Sequence, residues 1–346
     1  MKRFRLAAAA AAASFAYSGL VPIASQAQDN VLNLYSARHY QTDEALYTNF
    51  TTATGIRINR IEAGDEQLLE RIRSEGANSP ADVLLIVDAS RLYNAQQLGV
   101  FQPVRSASLE SRIPASMRDP NGEWFGFSSR ARLFVYNKAQ LKAGDVPTYE
   151  SLADPKLKGK ICVRSGSHPY NLSLVASMIT HDGEPKTEAW AKGVVANLAR
   201  QPKGGDLDQI KAVAAGECDI AIVNSYYYAR VLRSTRAEDR EIAQRTAVVW
   251  PNQQGYGTHV NISGAGVLKN APHKDAAVKF LEYLAADEAQ RYFADGNNEW
   301  PAVRSAATAN PALEVMGSFK ADTVEIAAFG KNMTAAQKLV DRAGWR

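Results

Sequence analysis

Cysteine is scarce in this chain: Cys162 and Cys218 are the only two among 346 residues, and they stand too far apart to read as a thiolate metal site. There is no CxxC, no HExxH, no P-loop and no Ser/His/Asp set whose spacing supports nucleophilic catalysis. Lysine and arginine form no run of the kind that makes a nucleic-acid stripe. Beyond the amino-terminal stretch no apolar segment is long enough to span a bilayer. Internal repeats and low-complexity tracts are also missing. What remains is a chain built to fold, with its chemistry in unusual residues.

The amino terminus reads as an export leader. Lys2, Arg3 and Arg5 form a basic start, an alanine-rich apolar stretch follows, and Ser25-Gln26-Ala27 offers a small-residue cleavage site. A retained anchor is the alternative, but the apolar part is short, and Gly19 and Pro22 lie near its end. Phe4 separates the arginines, so the paired arginines of a Tat signal are lacking, and no lipoprotein cysteine follows. The expectation is cleavage near Ala27 and a periplasmic product. Removing residues 1–27 takes away three basic and no acidic residues, lowering the net charge from +4 to +1. About 319 residues remain, enough for two domains of roughly 100–200 residues each.

Short apolar runs alternate with amphipathic segments, the pattern of an α/β protein with helices covering a sheet. Strands are expected at 31–36, 56–61 and 82–87, with helices at 43–54 and 66–75, the first closed by Gly55. Residues 126–137 carry the run Leu133-Phe134-Val135-Tyr136 and are expected to cross between two lobes. A second series follows: a strand at Cys162, helices at 172–180, 188–199 and 208–215, and a strand at Cys218. The glycine-bearing segment 260–268 is expected to cross back, its glycines permitting close approach and hinge torsions, before helices at 276–284 and 287–293. Each cysteine stands at or near the start of a buried strand. An oxidising compartment then permits a disulfide if those strands are neighbours; otherwise both are small buried hydrophobes.

The most informative feature is Tyr226-Tyr227-Tyr228, directly after an apolar run and Asn224-Ser225. Adjacent phenols at a strand mouth are not explained by packing alone, and ionised phenols are hard oxygen donors. Tyr40 and Tyr170 lie at comparable strand ends, where ligands of α/β proteins bind. The set reads as a cage for a trivalent ion, with Fe³⁺ the fitting choice because a small hard cation prefers anionic oxygen to thiolate.

Several segments carry a family resemblance: Ser36-Ala37-Arg38-His39-Tyr40, Ser79-Pro80-Ala81-Asp82-Val83, Gly216-Glu217-Cys218-Asp219-Ile220-Ala221, Asn224-Ser225-Tyr226-Tyr227 and Gly257-Thr258-His259-Val260-Asn261-Ile262-Ser263-Gly264-Ala265. Over essentially the whole chain after the leader, the sequence resembles the periplasmic ferric-ion-binding proteins of bacterial ABC importers, in particular their FutA-type branch. The resemblance implies a two-lobed type II periplasmic-binding-protein fold with an interdomain cleft. Its lobes would be residues 28–131 with 264–346, and residues 132–263. It implies no enzymatic activity, a monomer, and an inner-membrane ABC permease as partner. It also implies iron held by Tyr226, Tyr227, Tyr170 and Tyr40. Relatives that use a first-lobe histidine and carboxylate make His39 a further candidate donor, although Asp88 is off register for the carboxylate.

Arg230 and Arg130, with Arg132 on the same strand face, are candidates to offset phenolate charge; the plain alternative is solvated surface arginine. Tyr228, Tyr136, Tyr47, Tyr283 and Tyr292 read as packing, and His168 and His259 as loop or hydrogen-bonding histidines. The residues leave open whether Fe²⁺ binds too, and whether water or carbonate completes the coordination. Two other readings stand beside the ferric one: a binder of an anionic organic solute such as a phosphonate, and an exported iron oxidoreductase.

Overall fold

Alternating and unbroken apolar runs become the strands of this protein. A computed structural model describes residues 30–346 except His39, Gln41, Arg304, Ala307 and Glu325; the leader 1–27 and the candidate donor His39 lie outside the described residues. The strands are β1 (Val31–Ser36), β2 (Arg57–Glu62), β3 (Val83–Val87), β4 (Phe125–Asn137), β5 (Ile161–Cys162), β6 (Ile220–Asn224), β7 (Thr246–Val249), β8 (Val260–Val267) and β9 (Trp300–Pro301). Helices α1 to α4 are Asp43–Thr54, Asp65–Glu75, Ala89–Gln97 and Ala107–Arg112. Helices α5 to α9 are Pro169–Asp182, Glu184–Ala196, Asp206–Ala215, Ser225–Arg233 and Ala237–Arg245. Helices α10 to α13 are Lys274–Leu284, Asp287–Asp295, Pro311–Met316 and Ile326–Ala343.

One sheet runs β2-β1-β3-β8-β4, parallel across β2, β1 and β3 and antiparallel across β3, β8 and β4. The alternating β2 takes the edge, where one face meets water, while the wholly apolar Val83–Val87 run lies inside the sheet. A second sheet is built on the other half of β4, with β6 and β7 antiparallel to it and β5 parallel to β6. Thus β4 belongs to both. Phe125–Ala131 pairs with β8, and from Arg132 onward the strand pairs with β6.

Leu34, Phe50, Leu85 and Phe280 pack one core, and Leu133, Val135, Val213 and Val223 pack another. A third cluster runs from Leu84 and Leu92 through Val175 and Trp190 to Leu339, because α13 packs on α3, α5 and α6 together. The expected crossing segment 260–268 is β8. Its Gly264 and Gly266 permit close approach: an added Cβ would stand 2.7 Å from the Phe125 carbonyl oxygen and 2.3 Å from that of Glu123. Neither has positive φ, so they serve packing and not unusual torsions. His259, just before β8, lies outside any strand or helix, as a loop histidine should, and is buried with neither ring nitrogen hydrogen-bonded among the described residues.

Cys162 and Cys218 form a disulfide, with Cα atoms 5.8 Å apart, joining β5 to the approach of β6. The bridge closes a loop of 56 residues, a length for which cross-linking stabilises by about 2–5 kcal/mol. Replacing both cysteines by alanine should lower the thermal midpoint by several degrees, measured by calorimetry on the oxidised protein and the variant.

Candidate metal centre

Three tyrosines arrive on the first turns of two helices. β6 ends at Asn224 and the chain turns directly into α8, so Tyr226 and Tyr227 follow its first residue, Ser225. α5 opens at Pro169, and the Nδ1 of His168 accepts the Tyr170 N–H at 3.2 Å. The helix therefore starts earlier than the 172 expected from periodicity. A proline in the first helical position, with its φ already helical, and a capping side chain before it extend the helix back over Tyr170. The partial positive charge of a helix start favours a negative oxygen nearby. Tyr40 comes from the segment after β1, where the guanidinium of Arg38 lies 4.6 Å from its ring centre.

The four rings meet. The Tyr226 hydroxyl donates to that of Tyr170 at 3.2 Å. Tyr40 stands edge-on to Tyr226 with centres 6.0 Å apart, and Tyr227 lies 4.3 Å from Tyr226. Tyr228 turns away, donating to the Thr246 carbonyl at 3.0 Å, as a packing residue should. Among the described residues no three His, Cys, Asp or Glu side chains cluster where they could hold a metal. Asp88 is no donor either, since its oxygens accept from Ser90, Asn261 and Ser173.

Burial pushes the phenols of Tyr40 and Tyr226 far above the ordinary tyrosine range, and raises that of Tyr170 as well. Glu299 and Tyr170 push Tyr40 further, while Arg38 and Arg130 oppose them. At neutral pH these phenols are therefore protonated. Burial also pushes His168 down to about 3, helped by Arg164 and Arg132, so its imidazole is neutral.

The arginines divide. Arg130 is buried; its Nη1 donates to Ser263 at 2.9 Å, and its Nε and Nη2 have no hydrogen-bond partner among the described residues. Burial alone would lower its pKa, but Glu299, Tyr40, Tyr170 and Asp88 together raise it, so it stays a cation. Arg132 is buried too, and donates to Asp206 at 2.6 Å, Asn171 at 2.6 Å and Asn224 at 3.1 Å, which ties α5, α7 and β6 together. Arg230 is exposed, 5.6 Å from the Tyr227 ring centre. Sequence reasoning missed the buried set behind Tyr40. Arg38 donates to Asp43 at 2.8 Å and to Glu299 at 3.3 Å, and Glu299 accepts from Ser128 at 2.6 Å. Arg38 stood in view two residues before Tyr40; Glu299 joins from 261 residues away, with no local signal.

Two cavities flank the rings. One of about 570 Å³ is lined by Tyr40, Tyr170, His168, Arg91, Glu62 and Asp65; the other, about 740 Å³, by Tyr40, Tyr227, Arg230, Arg233, Asn297 and Asn298.

A family model described as bacterial extracellular solute-binding protein matches residues 78–319. Iron uptake protein A2 of Synechocystis sp. is 50% identical over 328 residues, 94% of this chain and 93% of its own length. Iron uptake protein A1 of the same organism is 49% identical over 326 residues, 94% of this chain and 90% of its own. A solved structure of Trichodesmium FutA (IdiA), described as in complex with iron and citrate ligands, superposes with a TM-score of 0.87. It is 53% identical, covering 91% of this chain and 100% of that one. The chain belongs to the bacterial extracellular solute-binding proteins, in the FutA-type branch. Its mixed α/β architecture is accordingly the periplasmic-binding-protein fold, and a solute-binding protein of this family is not an enzyme.

The raised phenols give this solute-binding protein a defined pH response. A group whose pKa is higher folded than unfolded contributes stability below its unfolded value, about 10 for tyrosine, and loses it as pH rises through the folded value. The urea midpoint of metal-stripped protein should therefore fall above about pH 10, and Tyr226→Phe should remove part of that decline.

Proposed function

We propose that this protein is the periplasmic ferric-binding component of an ABC importer, holding Fe³⁺ through Tyr40, Tyr170, Tyr226 and Tyr227 and delivering it to an inner-membrane permease. The observation that carries the reading is the meeting of phenols from three separate chain segments, with Tyr226 and Tyr170 oxygens 3.2 Å apart and Tyr40 closing from the β1 side. The likeness to iron uptake proteins at about half identity supports iron as the cargo. The leader supports export with cleavage near Ala27, and we take the working form to be a monomer.

The charge arithmetic supports the ferric ion over the ferrous. Four phenolates leave a site charge of −1 with Fe³⁺ and −2 with Fe²⁺, and the additional buried charge is costly. Arg130 supplies a fixed cation beside the rings without competing as a ligand, since a guanidinium has no free lone pair to give. Arg230 adds a second, more solvated one. His39 remains a candidate fifth donor.

We assign the lobes as residues 28–131 with 264–346, and residues 132–263. The change of partner along β4 at Ala131 and Arg132 supports the first boundary. At the second, Val260–Ser263 of β8 already pair with first-lobe strands, so the return crossing falls just before Val260, and α13 lies across both lobes. An anionic organic solute held by Arg130 and Arg230 is the second reading of the same cleft, favoured by the two Arg130 nitrogens that have no hydrogen-bond partner among the described residues.

Titration of the mature protein with ferric salt should give a visible phenolate-to-iron charge-transfer band and a large rise in thermal midpoint. Tyr226→Phe with Tyr227→Phe should abolish the band. A colourless wild-type protein whose stability responds to phosphonates instead would overturn the proposal. Each bound phenolate releases one proton, so affinity should rise with pH by up to about tenfold per unit for each proton displaced. Competition with a chelator at fixed free iron, from pH 8 down to pH 5, should bleach the complex progressively.

A further inference from the structure

Asp88, too far off register to be read as an iron ligand, has another use in the structure. It stands between β3 and α3 with φ at 101°, a backbone region that non-glycine residues seldom occupy and that persists only where the surroundings hold it. Its carboxylate is fully buried and caps α3, accepting from the Ser90 N–H at 2.9 Å and the Ser90 hydroxyl at 2.6 Å. Those two bonds are local and account for a capping aspartate.

Two further contacts are not local. Asn261 of β8 donates to Asp88 at 2.8 Å. Ser173 of α5 points its hydroxyl at both carboxylate oxygens, at 2.9 and 2.8 Å, across 85 residues of sequence. Ser173 is wholly buried in a helix whose neighbouring residues are mostly apolar, so a polar side chain there needs a partner. It also lies three residues after Tyr170, on the same side of the helix. The carboxylate thereby joins the β3–α3 corner and the β8 crossing to the helix that carries Tyr170.

We infer that Asp88 is a positioning residue for iron capture: through Ser173 it pins the first turns of α5, and so fixes where the Tyr170 oxygen stands relative to Tyr40. This rests on the tyrosine cage proposed above. The pin gives a reason for a non-glycine residue at positive φ here, since the Asp88 carboxylate reaches Ser90, Asn261 and Ser173 together.

The test compares Ser173→Ala with Ser177→Ala, a buried serine one turn further along α5 that donates to Asp322 at 2.9 Å. In metal-stripped protein, amide exchange across residues 170–175 should quicken in Ser173→Ala and not in Ser177→Ala. Loaded with ferric iron and challenged with excess citrate, Ser173→Ala should release the metal about tenfold faster, the scale of one lost hydrogen bond to a charged group. Its band maximum should stay in place, because all four tyrosines remain. Equal effects of the two variants, or none from Ser173→Ala, would overturn the pin. Should Ser173→Ala not fold, Asp88→Asn, which keeps one acceptor oxygen and loses the charge, is read by the same two measurements. If wild-type protein takes up no ferric iron while the exchange responds as stated, the cargo assignment falls and the pin stands.

Discussion

Crowding several phenols out of water onto one point is the constraint on which the rest of the structure depends. A buried phenol resists ionisation, and neighbouring phenols resist it more, so burial and mutual repulsion both raise Tyr40 and Tyr226, and burial raises Tyr170. On the cage proposed above, such a cluster suits a guest with enough positive charge to displace protons from all of them. The surrounding fold lowers that barrier without supplying a competing ligand. It brings in helix starts, the guanidinium of Arg38 over the Tyr40 ring, and Arg130 with two nitrogens free of hydrogen bonds among the described residues.

Holding the rings in place requires polar contacts that are themselves buried. Asn171 accepts from Arg132 and donates to the carbonyls of Arg164 and Ser165, fixing the turn beside Tyr170. Asp206 accepts from Arg132, from Arg164 and from the Asn224 N–H that precedes α8. A buried charge left without partners is strongly destabilising, so these groups are satisfied as a set or the region loosens as a set. The tyrosines are thus positioned by a network in which Arg132 and Asp206 each have several partners.

Much of this was legible in the amino-acid order. β1, α1 and the β3 run followed from periodicity and from Gly55, and the tyrosine pair after Asn224-Ser225 announced itself by composition alone. Periodicity alone placed the start of α5 at 172, three residues late, because the opening is signalled by Pro169 and the capping His168 and not by apolar spacing. α3, α9 and α12 left weaker patterns. The Arg38–Glu299 and Asp88–Ser173 contacts were beyond reach, since they join residues 261 and 85 positions apart and neither has a spacing to detect. Local chemistry was readable; long-range pairing of charge was not.

The double membership of β4 has a mechanical consequence. Arg130 and Arg132 are two residues apart, yet the first is paired with β8 and the second with β6. A bend where the strand changes partners would carry Arg132 with the helices bearing Tyr170, Tyr226 and Tyr227, and leave Arg130 behind with Ser263 and the Tyr40 side. Opening would then strip the phenolates of a counter-cation in the same movement that removes one of their number. With the proposed cage, flexing the backbone and discharging the guest would be a single event, with the strand acting as a lever on the electric field.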